Sequence, residues 1–313
     1  MANGNNDTAV REWVSNTPNN SGVATGFDCI HVDACLSKLN HRLYRQGRKY
    51  SVKVDLQLPM AGVNDGWAIK GNQLEVFALM PTWYVHSMWN QAKRAFDDAM
   101  SLEKAALSEG NLARWRDFRV KSGWEQSASG VATGADGSQD PIMFTPSGVA
   151  VQFASGEFNY SIVENLDTSN PMDFSFGASD STTFSMPEEY ALSRNESASP
   201  ETVISTAPYH ELNANLESED YAVLQANGNE PPYNALAFPD ALWVRVAVLG
   251  VEYDGTSAPT KAFMTKMTTG YFDAPCGFIG LKSNFTDPAV NFGPTIKVEV
   301  QKGDYRGVKA SPM

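Results

Sequence analysis

The chain has 313 residues, 42% apolar and 11% aromatic, enough for one large β domain or two ordinary ones. Its three cysteines, Cys29, Cys35 and Cys276, make neither a disulfide framework nor a zinc site. No apolar run approaches the ~18 residues of a membrane span, and the polar N-terminus lacks the basic start and apolar core of a signal peptide.

The net charge of −12 is unevenly spread. Between Ser122 and Asp240 the single basic residue is Arg194, beside 18 of the 36 acidic residues, leaving 23 basic and 18 acidic residues elsewhere. Such segregation predicts two different sides, one acidic and one mildly basic, unless the acidic loops serve only solubility.

Residues 1–26 read as a flexible polar arm and 27–313 as a β domain. Phe27–Val32 is the first predicted strand. Lys38, His41, Arg42, Arg45, Arg48, Lys49 and Lys53 then form the densest basic cluster, with Tyr44 and Tyr50 among them. The cluster runs into Tyr50–Leu58, where Val52, Val54, Leu56 and Leu58 alternate with Lys53, Asp55 and Gln57. Leu74–Met80 is another strand.

After Pro81-Thr82 the period changes. Val85, Met88, Trp89, Ala92, Phe96, Ala99 and Met100 recur at three- and four-residue steps, which predicts an amphipathic helix. Thr82 is its predicted N-cap and Gly110 its stop. From Trp83 to Glu109 it would be about 40 Å long at 1.5 Å per residue. A helix of this length within a helical insertion (82–122) packs across a sheet or against a neighbouring subunit. Trp83, Met88, Trp89, Phe96 and, later, Trp243 are the predicted subunit-interface anchors. Arg114 and Arg116, beside Trp115 and Phe118, form a second basic–aromatic group.

Gly148–Val163 supplies two short strands, and Met172–Phe176 another. Residues 179–240 read as an acidic, Pro-broken loop or protrusion, with a short helix at Glu211–Leu224. Leu242–Tyr253 is the longest run of strand formers, apolar on both sides except at Arg245, which suits a strand covered on both faces. Phe263–Thr268, Cys276–Leu281 and Thr295–Val300 follow, with a turn at Asp273-Ala274-Pro275.

No catalytic constellation emerges. His31, His41, His86 and His210 lack HxH or HExxH spacing. Nucleophile-elbow, phosphate-loop and dinucleotide motifs are missing too. Asp136 and Asp140 could contribute to a structural calcium site but lack its remaining ligands; no cofactor is expected. The basic–aromatic segments carry more. Lys38, Arg42, Arg45, Arg48, Lys49, Lys53, Arg114 and Arg116 could neutralise phosphates while neighbouring rings stack on bases, or they form a solvated strand edge and intersubunit salt bridges.

Three stretches, Leu39–Pro59 (LNHRLYRQGRKYSVKVDLQLP), Pro81–Gly123 (PTWYVHSMWNQAKRAFDDA with ARWRDFRVKSG) and Thr269–Leu281 (TGYFDAPCGFIGL), resemble jelly-roll capsid proteins of small circular single-stranded DNA viruses. More remotely the chain resembles double-jelly-roll capsid proteins of membrane-containing bacteriophages. The resemblance implies an all-β, antiparallel jelly-roll sandwich with a long helical insertion, or two smaller jelly rolls in tandem. It implies a major capsid protein that tiles an icosahedral shell in the virion. Its partners would be further copies of itself, packaged DNA on the inner face and a host surface receptor on the outer one. Many such capsids begin with an Arg-rich arm, whereas residues 1–22 contain one base, Arg11. Either the Lys38–Lys53 cluster takes the arm's role or the genome lies apart from this protein. The competing readings are a glycan-binding β-sandwich using Tyr209, Tyr221 or Tyr233, and a polysaccharide-acting enzyme with converging carboxylates.

Overall fold

A computed structural model describes residues 9–17, 25–57, 73–106, 117–124, 141–144, 146–147, 150–152, 161–164, 171–179, 183–195, 242–252, 263–284 and 295–313. The chain begins β1 (Glu12–Asn16), β2 (Thr25–His31), α1 (Val32–Asn40), β3 (Arg48–Gln57), β4 (Gln73–Leu79) and α2 (Trp83–Ala106). An insertion follows, with β5 (Ile142–Phe144), β6 (Ala150–Gln152), β7 (Ile162–Glu164), β8 (Pro171–Ser175), β9 (Thr183–Ser185) and α3 (Met186–Asn195). The last part holds β10 (Trp243–Glu252), β11 (Phe263–Lys266), β12 (Phe272–Pro275), β13 (Phe278–Asn284) and β14 (Thr295–Val300). The short β15 (Lys302–Gly303), β16 (Gly307–Val308) and β17 (Ala310–Pro312) end it.

Most of these strands form two large antiparallel sheets, while β7-β8-β9, with β8 and β9 parallel, and β15-β16 make two small ones. The first large sheet is ordered β12-β3-β14-β1-β5-β6, with β17 also pairing β3; the second is β11-β10-β4-β13-β2. In β3 and β14 the alternation read from sequence is realised. Tyr50, Val52 and Val54 of β3 and Ile296, Val298 and Val300 of β14 are fully buried, while Lys53, Asp55, Lys297 and Glu299 point to the other face. Opposite them lie Ile30, Leu74, Val76, Leu249, Ile279 and Leu281 of the second sheet, in the same apolar cluster. The two sheets therefore pack face to face over one core.

The outer face of the second sheet is covered as well. Cys29, Leu79, Trp243 and Phe278 meet Met88, Trp89 and Phe96 of α2 and the insertion's Phe118, Trp124, Phe174 and Phe176. Each such side chain contributes about 1.5–3 kcal/mol by leaving water. Trp124 lies on the bare backbone of Gly280. A Cβ there would come within 2.8 Å of its ring, and its indole N–H donates to the Leu281 carbonyl at 3.2 Å.

Several expectations change. Glu12–Asn16, read as part of a flexible arm, is β1. Its Trp13 is buried and pairs in register with Val298. Five residues with only Trp13 and Ser15 turned inward carry too short an alternation to stand out. Asp273-Ala274-Pro275, read as a turn, belongs to β12. The turn lies one residue later, where Gly277 N–H donates to the Ala274 carbonyl at 3.1 Å and Cys276 takes φ 55°. The Leu242–Tyr253 run forms β10, but a register shift between Arg245 and Ala247 breaks its alternation. Trp243 consequently joins the outer cluster, Ala247 and Leu249 the inner one, and Val244 remains exposed. α1 and α3 were not foreseen, and α3 starts the stretch read as loops. The Glu211–Leu224 helix, most of the acidic 179–240 region, and Asp136 and Asp140 lie outside the described residues.

Gly280→Ala is expected to cost about 1–3 kcal/mol by pushing Trp124 off the sheet. The urea midpoint would fall at unchanged slope; a wild-type midpoint would mean that the ring does not depend on that gap.

Candidate functional site

α1 ends at Asn40, where His41 turns left-handed (φ 48°) and its N–H caps the Ser37 carbonyl. The loop that follows, 41–47, carries Arg42 and Arg45 and runs into Arg48 and Lys49 at the start of β3. It is fastened to the C-terminal turn between β15 and β16. Tyr44 Oη donates to the Arg306 carbonyl at 2.9 Å, and the Arg306 guanidinium donates to the Leu43 carbonyl. The Arg45 N–H donates to Tyr305 Oη at 3.2 Å, and Tyr50 Oη donates to the Arg45 carbonyl at 2.6 Å. Burial pushes the Tyr44 and Tyr50 phenols up, so both stay neutral donors.

Arg48 lies 3.6 Å above the centre of the Tyr305 ring and donates to the Ala310 carbonyl at 3.3 Å. The Tyr44 ring meets Tyr305 edge-on at 6.0 Å. Arg306, at φ 53°, holds a backbone conformation rare for a side-chain-bearing residue. The product is a cationic surface in which Arg48 and Arg306 lie over one aromatic ring, Tyr305. One face of Tyr305 is already covered by Arg48, so this ring positions a charge rather than offering itself to a base. Tyr305 and Arg306 were missed in sequence; the only signal was a mildly basic tail.

The predicted nucleic-acid residues divide. Arg42 and Arg45 are exposed and Arg48 half-buried, all in this cluster. Lys49 is half-buried beside α2; burial and then the Lys49 charge hold His86 below the usual imidazole range. Lys38 is buried in α1, at 7% exposure. Lys53 sits on the outer face of the first sheet between Glu299 (2.7 Å) and Asp55 (3.3 Å), which hold it protonated. Its charge is thereby matched within the chain. Arg114 and Arg116 lie outside the described residues.

The predicted interface anchors divide more sharply. Met88, Trp89, Phe96 and Trp243 are buried in the chain's own outer cluster, which corrects their assignment to an intersubunit surface. Helical periodicity identifies an apolar face but not whose surface covers it. Trp83 alone of the five stays exposed, at 53%.

Beneath the cluster lies a buried ionic group. Arg119 and Asp33 pair at 3.0 Å with side-chain exposures of 5% and 0%. Asp117, 13% exposed, lies 3.9 Å from Arg45. Burial pushes its carboxyl up to about 6, against the opposing pull of Arg45. Among the described residues no group of three or more His, Cys, Asp or Glu is placed to hold a metal, and the three cysteines are buried and form no disulfide. What this arrangement can do chemically is attract and orient anions.

Compared with known proteins, the chain matches no family model, no curated protein and no solved structure.

Asp117 gives the fold a pH dependence of stated sign. Its folded value, about 6, lies above the ordinary 3.8, so between those values the folded chain keeps a proton that the unfolded chain has lost. Stability is full below pH 4 for this group and falls as pH rises through 6, by roughly 2–3 kcal/mol. Asp117→Asn should flatten that portion of the stability–pH curve; a variant with the wild-type slope would exclude Asp117 as its source.

Proposed function

We propose that the chain is a jelly-roll shell subunit, the major capsid protein of a small DNA virus, whose work is self-assembly around a genome. Strand order is the observation that carries this reading. Taken in chain order, β1, β2, β3, β4, β10, β12, β13 and β14 distribute into the sheets β1-β14-β3-β12 and β2-β13-β4-β10. That distribution supports the reading, since it is the order expected of two interlocked Greek keys in a double-sheet jelly roll. A single roll is favoured over two in tandem because both large sheets face one shared core.

Jelly rolls also serve lectins and small-molecule-binding proteins, so the fold leaves the function open. The shell reading is favoured by the interior, where Ile30, Tyr50, Leu74 and Val298 at 0% exposure fill the space between the sheets. It is favoured too by the surface, where Trp83, Val244, Met143 and Tyr271 stand exposed. The Arg42, Arg45, Arg48 and Arg306 surface then suits the phosphates of packaged DNA. Such contacts would be blind to sequence, as holding a whole genome requires.

Light scattering with negative-stain microscopy on the purified protein, at low and high salt, tests the reading. Closed particles tens of nanometres across are expected, with an absorbance ratio reporting nucleic acid inside. A monomer or dimer under every condition would sink it. The triple variant Arg42→Gln, Arg45→Gln, Arg48→Gln should weaken binding to single-stranded DNA and reduce the slope of log K against log salt by about 2, at ~0.7 per lost phosphate contact. An unchanged slope would remove this cluster from the DNA-facing surface.

A further inference from the structure

α2 carries both an exposed tryptophan and one wall of an apolar cleft. The cleft, of about 250 Å³, opens between α2, the β8–β9 pair and α3. Ala92, Phe174, Phe184 and Met186 line it, together with the exposed Gln91 and Glu189. We propose that it is a docking pocket for Trp83 of a second copy of the chain. This rests on reading the chain as a self-assembling subunit and names the contact that joins the copies.

Size comes first. Ligand sites for drug-sized molecules run from ~300 to ~1,000 Å³, so this cleft is small for such a ligand and suited to one bicyclic side chain. Chemistry agrees. An indole brings a large apolar ring and one N–H donor that seeks an acceptor when buried. The cleft offers aromatic and methionine walls with the Gln91 and Glu189 side-chain oxygens as acceptors.

Geometry requires that the indole come from another molecule. Trp83 lies in the first turn of α2, and Ala92 is nine residues further along the same rigid helix, about 14 Å away at 1.5 Å per residue. Nine residues are also about two and a half turns, so Trp83 and Ala92 leave the helix on opposite sides, and Trp83 projects from the side away from the cleft wall that its own helix supplies. Charge points the same way. His86 lies one turn from Trp83, and the half-buried Lys49 is close enough to act on it, so one cation lies near the tryptophan's flank. Glu188 and Glu189, in the first turn of α3, make the cleft's flank acidic. The exposed Val244 sits at the same end of the second sheet as Trp83, because it pairs with Ala78 just before β4 leads into α2. One tryptophan buries 150–250 Å², so it would be the central anchor of a larger contact rather than the whole of it.

The test uses two variants of the full chain that damage opposite halves of the contact. Trp83→Ala removes the indole and leaves the cleft. Ala95→Trp, at an exposed position lining the cleft, fills the cleft and leaves Trp83. Both positions are exposed, and near-ultraviolet circular dichroism with thermal melting confirms that each variant folds. Sedimentation velocity should show each variant alone with self-association weakened about thirtyfold, as for a hot-spot residue. An equimolar mixture should recover association, because an intact Trp83 meets an intact cleft. Wild-type self-association by Trp83→Ala, or by Ala95→Trp, would overturn the docking while leaving the shell reading in place. A mixture that recovers nothing would also overturn it. A wild-type chain that stays monomeric at every salt concentration would overturn both.

Discussion

The pairing of Asp33 with Arg119 is the constraint on which the arrangement depends. Both side chains are out of water, and their charged atoms lie 3.0 Å apart. A buried charge pair of this kind is expensive to form and more expensive to break, since losing one partner leaves the other uncompensated, a cost of about 3–5 kcal/mol. Asp33 belongs to α1, within the sandwich. Arg119 belongs to the segment 117–124, within the insertion. The pair therefore fixes one to the other. Gln46 repeats the clamp with neutral groups: its side-chain amide donates to the Val120 carbonyl at 2.9 Å and accepts from the Val120 N–H at 2.7 Å. Held at both points, the segment turns Phe118, Val120 and Trp124 into the outer cluster. The loop that supplies Gln46 also supplies Arg42 and Arg45, so the exposed cations are positioned by what is buried beneath them.

The second sheet is consequently apolar on both faces, and Phe278, the first residue of β13, gathers the rings on its outer side. His31 at 4.9 Å, Phe176 at 6.2 Å and Trp243 at 6.3 Å surround its ring, so β2, β10 and the residue that follows β8 meet through one side chain. The first two are edge-to-face pairs, which add to the burial of the rings. A helix laid across such a sheet is part of the fold and not an accessory. What α2 leaves exposed includes Trp83 in its first turn.

Period-two and period-three-to-four patterns were legible wherever an element had one wet face. β3, β14 and α2 were read within a few residues because Lys53, Asp55, Lys297 and Asp97 mark their outer sides. α1 was missed because seven of its nine residues, charged Asp33 and Lys38 among them, are buried, which removes the contrast that periodicity needs. β12 was taken for a turn because Asp273 and Pro275 are turn residues, yet Pro275 closes the strand at the sheet's edge, where a missing N–H is tolerated. The bulge in β10 could not be read, since every residue near it is a strand former. At the site, sequence proximity gathered seven basic groups between Lys38 and Lys53 but could not see which were answered. Asp55 is two residues from Lys53, while Glu299 lies across the sheet and arrives only with β14. Tyr305 and Arg306 reach the loop from the far end of the chain.

A chain that buries Met88, Trp89, Phe96 and Trp243 in its own core can fold before it meets another copy. On the proposed shell reading, contacts between copies are then left to small surface patches, such as the one anchored by Trp83. For a closed assembly that is an advantage, because weak contacts let a misplaced copy leave, while many contacts made together hold the finished assembly. Had the helix kept its anchors for a neighbour, the second sheet would lie uncovered in the free subunit. Its outer strands would offer a long apolar face to any collision. The insertion prevents this by closing the sheet from within the chain.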